Sequence, residues 1–243
     1  GRYTSMTIGA DGLGLISYWD NTSDDLKVAH CSDTNCTTAT ITTLDSTGSV
    51  GYYTSITIGA DGLGLISYYD DTNENLKVAH CSDTDCTTAT ITALDSTHLV
   101  GRWSSITIGA DGLGLISYYD WNNDDLKVAH CSNTNCTTAT ITTLDSTDDV
   151  GYDTSITIGA DGLGLISYYD GTNENLKVAH CSDTNCTTAT KTTLDETDDD
   201  GTFTSITIGA DGLGLISYYD WDNENLKVAH CENAFCSPYF RRR

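Results

Sequence analysis

The stretch TIGADGLGLISY, residues 7–18, returns without a change at 57–68, 107–118, 157–168 and 207–218. The chain is therefore five tandem copies of one unit with a period of 50 residues, starting at Gly1, Gly51, Gly101, Gly151 and Gly201. Such a period is settled before any other reading, because a repeat buries its apolar surface against its neighbours. Outward from this stretch, a second constant segment, LKVAHC at 26–31, recurs in every unit, as do an Asp at the Asp20 position and a Cys at the Cys36 position. Across the first 36 positions, 22 are identical in all five copies, so the positions that differ stand out.

Each unit reads as four short β segments. Thr4–Gly9 ends at Ala10-Asp11-Gly12, and Asp-Gly between two β-rich runs is a strong hairpin signal. Leu13–Asp20 follows, then a polar loop at Asn21–Asp25, then Leu26–Cys31 and the β-branched run Ala39–Asp45. No segment sustains a 3.6-residue period, so helix is not expected. Alternation puts Leu15 and Trp19 on one face and Ile16 and Tyr18 on the other, and Val28 and Ala29 on opposite faces. A sheet that is apolar on both sides must be covered on both. Radial stacking of blades in a closed wheel does this. The expectation is an all-β, five-bladed β-propeller with four-stranded antiparallel blades. A β-solenoid with two coils per unit is the competing architecture. The whole chain, 1–243, forms one domain in this reading, with blades at 1–50, 51–100, 101–150, 151–200 and 201–243. The last lacks a convincing outer strand, because Ser237-Pro238-Tyr239-Phe240 replaces the β-branched run.

The motif Ser-Tyr-Tyr-Asp stands at 67–70, 117–120, 167–170 and 217–220, and as Ser-Tyr-Trp-Asp at 17–20. With the flanking ADG and LKVAH segments, it resembles the Ser-Tyr-Tyr-Asp β-propeller repeats of secreted bacterial proteins over residues 1–236. The resemblance implies an architecture and no shared activity.

The ten cysteines fall as five CxxxxC pairs: Cys31/Cys36, Cys81/Cys86, Cys131/Cys136, Cys181/Cys186 and Cys231/Cys236. Each pair brackets the connection between the third and fourth strands, a loop on the rim. An even count at fixed spacing points to local disulfides and a secreted or extracellular location. His30 adjoins Cys31, but neighbours in a strand point to opposite faces, which argues against a shared metal site. The recurring His reads as a blade-interface residue bonded to an Asp or a carbonyl. The recurring Lys reads as one that snorkels or pairs with an Asp.

Thirty-five acidic residues face 11 basic ones, for a net charge of −24. Such a surface excludes nucleic acid as a partner, since phosphate is held by Lys and Arg. No apolar run approaches the roughly 20 residues of a membrane-spanning helix, so no membrane insertion is expected.

The copies differ mainly at unit positions 2–3, 21–25 and 46–50, and the topology gathers these on one rim. Candidate binding residues there are Tyr3, Tyr53, Trp103, Trp121 and Trp221, with Asp20, Asp120 and Asp220 beside them. Aromatics next to carboxylates suit sugar rings. The loops at Asp20–Asp24, Asp120–Asp124 and Asp220–Glu224, with Asp222, carry oxygens at alternate positions like the start of a calcium loop. They lack its Gly and its distal Glu, and calcium is the one cofactor kept as a candidate. Near-identical blades repeat one set of side chains, whereas an active site needs unlike groups in unlike roles. The sequence thus favours a non-enzymatic structural or adhesive protein, a surface or fibre subunit. It would meet its own copies or a cell-surface partner through the incomplete last blade, helped by Arg241–Arg243. The alternative is a multivalent carbohydrate-binding lectin that uses the aromatic and acidic rim to hold glycans.

Overall fold

A computed structural model of the chain describes residues 1–196 and 200–237. It contains five separate antiparallel sheets arranged as the blades of a five-bladed propeller, and no helix among the described residues. The first blade runs β1 (Arg2–Ile8), β2 (Gly14–Asp20), β3 (Asp25–Cys31) and β4 (Ala39–Asp45), paired in sequence order. Blades two to four repeat it. The fifth has three strands among the described residues. The tail proposed for assembly, 238–243, lies outside the described residues.

The hairpin reading holds in detail. Gly12 takes φ 81° and the Asp11 carboxylate accepts the Leu13 N–H at 3.0 Å, closing the turn between β1 and β2. At the other end of each first strand the register slips, for example between Tyr52 and Ser55. This bulge inserts one extra residue and re-aims a side chain. Just before it, Gly51 and Gly101 hold φ values of 103° and 105°. A Cβ on Gly101 would lie 2.7 Å from the Leu76 Cα, so only glycine lets the chain cross this closely from one blade to the next.

The two-faced pattern packs as alternation requires. Leu65, Leu76 and Val78 of blade two meet Val100, Ile106, Ile116, Tyr118 and Ala129 of blade three, and the other consecutive pairs repeat this core. Polar bonds lock the same junctions. Asp45 at the end of β4 accepts from the Tyr68 hydroxyl at 2.7 Å and the Lys77 ammonium at 2.6 Å, and Asp95 and Asp145 do the same for the next two blades. A Ser hydroxyl of each first strand accepts a backbone N–H of the next, as from Ile106 to Ser55 at 3.2 Å.

Four junctions follow this plan and the fifth does not. The face of blade five leaves Leu226 75% and Val228 58% exposed, and Met6 on the facing side of blade one is 65% exposed. Their counterparts Leu126 and Val128 are at 0%. Among the described residues the fifth junction is thus less filled than the other four. Each junction is locked by the Asp that ends one blade and the chain link that crosses to the next, and among the described residues no such link is seen between blade five and blade one. Lys27, lacking such an Asp from a preceding blade, turns to Asp20 of its own blade.

All five CxxxxC pairs form disulfides: Cys31–Cys36, Cys81–Cys86, Cys131–Cys136, Cys181–Cys186 and Cys231–Cys236, with Cα–Cα separations of 4.6–4.9 Å. The local bridges expected from the spacing are present, and their placement adds burial against a neighbouring blade. Cys86 and Cys186 are fully buried, as is Cys136, and each belongs to the apolar core shared with the preceding blade. Cys86 sits with Leu15, Leu26 and Val28 of blade one, and Cys186 with Leu115, Leu126 and Val128 of blade three. Cys36 of blade one is exposed. The preceding blade, not the loop, therefore buries the second sulfur. Each recurring His binds the Asp of its own ADG hairpin through Nε2, at 2.8 Å for His30 and Asp11.

Candidate functional site at the axial mouth

Position three of every unit is the residue the bulge re-aims. Tyr3, Tyr53, Trp103, Asp153 and Phe203 all sit at φ between 49° and 51°. This left-handed region is uncommon for bulky residues and costs about 1–3 kcal/mol each when imposed. The five side chains meet around the axis on the rim of varying loops. With Thr4, Thr54, Ser104, Thr154 and Thr204 they line an open mouth of about 240 Å³. That volume is below the roughly 300–1,000 Å³ of a drug-sized pocket and suits one ring of a longer ligand.

The ring is held from behind. Ser104 Oγ donates to the Tyr53 carbonyl at 3.0 Å and Thr154 Oγ1 to the Trp103 carbonyl at 3.0 Å, so each hydroxyl fixes the bulge of the blade before it. The same hydroxyls bond to the buried Ser67 and Ser117 at 2.9 and 2.7 Å. Aromatic contacts continue round the collar. Tyr3 and Tyr53 centroids are 4.6 Å apart, Tyr53 and Trp103 5.2 Å, and Trp103 and Tyr152 5.0 Å.

Of the sequence candidates, Tyr3, Tyr53 and Trp103 come together at the mouth. Trp121 stacks beside Trp103 with centroids 6.4 Å apart and planes at 19°, and its ring also carries the Arg102 guanidinium at 4.3 Å. Trp221 lies on the far side of the rim, 6.4 Å from Phe203. The three carboxylates are placed elsewhere. Asp120 and Asp220 are buried, and Asp20, Asp120 and Asp220 turn into their own hairpin loops. Asp120 accepts the Asn122 and Asn123 N–H groups at 3.1 and 3.2 Å and faces Lys127 at 3.3 Å; Asp220 accepts Asn223 and faces Lys227. Asp20 accepts the Lys27 ammonium and the Thr22 N–H, which hold its carboxyl down at about 2. These oxygens brace β-turns. Asp124 and Glu224 are the left-handed residues of the same loops, and Asp124 accepts from the Tyr119 hydroxyl at 3.0 Å.

Among the described residues, the metal-competent side chains that converge are Asp11, His30 and Asp85, a set outside the Asp20–Asp24, Asp120–Asp124 and Asp220–Glu224 loops. They sit on the opposite rim, and His30 is already bonded to Asp11.

Sequence reasoning missed Asp153 and left Phe203 out of the binding set. The signal was available in the period itself: both occupy the position held by Tyr3, Tyr53 and Trp103. Asp153 Oδ2 accepts the Phe203 N–H at 2.8 Å. Burial pushes its carboxyl up and this N–H pulls it partly back.

No family model matches the chain, and no curated protein sequence does. Solved structures share its fold. An α-L-arabinofuranosidase from Lactobacillus brevis superposes with a TM-score of 0.55 at 11% identity, over 94% of this chain and 89% of the enzyme. An endo-arabinase from Bacteroides thetaiotaomicron gives 0.55 at 13%, over 99% of this chain and 94% of the enzyme. An exo-β-1,3-galactanase from Phanerochaete chrysosporium gives 0.62 at 8%, over 98% of this chain and 62% of that one. At these identities the likeness carries the propeller fold. It also corrects the structural or adhesive reading. Solved proteins that share this wheel act on glycans, and its axis here carries a built mouth, which a purely structural subunit does not require. The carbohydrate alternative stands better.

Proposed function

We propose that this chain is a secreted carbohydrate-binding propeller, of the Ser-Tyr-Tyr-Asp repeat type, that holds one sugar ring of a glycan at the axial mouth without cleaving it. One observation carries the reading: Tyr3, Tyr53, Trp103 and Phe203 are all held in a left-handed backbone conformation that points them at one opening. Strain retained at four aromatic positions around a cavity is what a pre-organised stacking site needs. The apolar faces of sugar rings pack on such side chains, and Ser and Thr hydroxyls supply orienting polar groups. Five disulfides suit an oxidising, extracellular setting.

Binding without hydrolysis follows from the carboxylates. A glycosidase of the usual kind places two of them about 5–9.5 Å apart across the scissile bond. Of the described residues that line the mouth, Asp153 alone is a carboxylate.

The test is a glycan array followed by calorimetry on the best ligand. The expected result is specific binding that falls at least tenfold in Trp103→Ala, with no release of reducing sugar on prolonged incubation. Unchanged binding in Trp103→Ala would remove the site from the mouth, and release of product would make the protein a hydrolase.

A further inference from the structure

The five positions around the axis are not equivalent. Four present aromatic rings and the fifth presents Asp153. Among the described residues, no Lys, Arg or His lines the mouth. The influences on the Asp153 carboxyl are burial and the Phe203 N–H, with no cationic side chain among them. This sets it apart from the other carboxylates turned inward in the wheel. Asp45, Asp95 and Asp145 each meet a lysine within 3.0 Å. A carboxylate removed from water is costly unless a positive charge or several donors meet it. Among the described residues, the Phe203 N–H is the donor that meets Asp153, and Asp153 lines the opening.

The surroundings favour the same sign of charge. Ring faces carry negative potential and attract cations, and the effect strengthens when water is excluded. Tyr3, Tyr53, Trp103 and Phe203 surround the spot that Asp153 faces. The chain as a whole bears a charge of −24, which raises the local concentration of cations and repels anionic sugars.

We infer that the sugar taken at the axial mouth carries an ammonium group, as a deacetylated amino sugar does, with Asp153 as the counter-ion and the aromatic ring as the cage. The inference rests on the carbohydrate reading above and narrows it to one ligand chemistry. The ammonium would donate to the Asp153 carboxylate while the ring edge and face pack on Tyr53 and Trp103. An N-acetylated sugar offers a neutral amide there and leaves the carboxylate unpaired. A choline-type head group offers the same charge without the ring, so it serves as the second source of this chemistry in the test.

Calorimetry with a glucosamine trimer, an N-acetylglucosamine trimer and choline, on the wild-type chain, Asp153→Asn and Asp71→Asn, decides the matter. Asp71 is exposed on the same rim outside the mouth, so its substitution removes an equal charge and controls for diffuse attraction. Asp153→Asn keeps an oxygen for the Phe203 N–H, and circular dichroism confirms its fold. The expected result is at least tenfold tighter binding of the glucosamine trimer than of its acetylated form, a preference that Asp153→Asn abolishes and Asp71→Asn leaves intact. If both trimers bind alike and Asp153→Asn changes nothing, the ammonium inference is overturned while the carbohydrate reading stands. Equal weakening in the two variants would reduce the effect to net charge and overturn it as well. Binding of choline with neither trimer bound would overturn both.

Discussion

Blade three and blade five carry the same SYYD and LKVAH segments, and the wheel treats them differently. In blade three, Leu126 and Val128 are fully buried beneath blade four. In blade five, Leu226 and Val228 stand mostly in solvent. The same residues at the same strand positions thus differ in their surroundings: among the described residues blade five has three strands where blade three has four, and its Leu and Val face is not covered by a next blade. A blade of this kind has no finished core of its own; its core is completed by the next blade, as in other repeat architectures where stability is a sum over interfaces.

The comparison is most easily broken at these leucines. Leu126→Ala is expected to cost about 2–5 kcal/mol, the usual range for emptying a packed leucine site. Leu226→Ala is expected to stay within about 0.5 kcal/mol, as exposed substitutions do. Urea midpoints measure both. Equal losses would mean that the last face is covered in solution.

Acid should separate the junctions next. Burial raises the Asp45 carboxyl, but donors from Lys77, Thr47 and Tyr68 outweigh it and hold the group at about 2. Its folded value is below the unfolded one of about 3.9, so its contribution is complete above that pH and fades as pH falls toward 2. About 2 kcal/mol is expected to go over this interval, and the loss should be much reduced in Asp45→Asn. Asp20, held equally low by Lys27 but open to solvent beside the unfilled junction, should change the acid profile far less, because water screens such pairs. Thermal melts between pH 5 and 2 report the difference.

The disulfides sharpen the comparison by ignoring it. A bridge that closes so short a loop acts chiefly on the unfolded chain, at about 2 kcal/mol. Both Cys131–Cys136 and Cys231–Cys236 are also buried against the blade that precedes them. Replacing one pair by alanines should therefore cost about as much as replacing the other, although the far face of blade three is enclosed and that of blade five is open. Urea midpoints of the two double variants check this. A much larger loss in blade three would show that enclosure of the blade outweighs the loop constraint.

The smallest effect concerns a single hydroxyl. Tyr168 donates to Asp145 across a buried junction at 2.8 Å. Tyr168→Phe is expected to cost about 1 kcal/mol in the same urea titration, and Tyr18→Phe, whose hydroxyl makes no such bond to a carboxylate among the described residues, close to nothing.

Much of the architecture was legible in the chain. TIGADGLGLISY fixes a hairpin, its two-faced alternation requires neighbours on both sides, and the period supplies them. The pairing of the cysteines followed from spacing alone. The burial of Cys86 and Cys186 did not, since the exposed Cys36 stands in the same local sequence. The open junction was not legible for the same reason: every copy carries the same Leu and Val, and none records which one lacks a neighbour. The site was half legible. Variation between copies drew out Tyr3, Tyr53 and Trp103, which the structure brings together at one opening. Asp20, Asp120 and Asp220 turn to their own loops, which the sequence does not show because a carboxylate in a polar loop looks the same whether it faces a ligand or the turn's own N–H groups. Asp153 escaped because a lone Asp among aromatics reads as a departure from the pattern until the bulge is seen to aim all five residues at one axis.

The central claim is that the differing residues of a repeated wheel build a sugar site at its axis. A crystal structure with a bound glucosamine oligomer tests it most directly. The account predicts one sugar ring in the mouth, stacked on Trp103, with its nitrogen within hydrogen-bond distance of the Asp153 carboxylate. A ligand lodged on the opposite rim or on the open face of blade five, with the mouth holding only water, would contradict it.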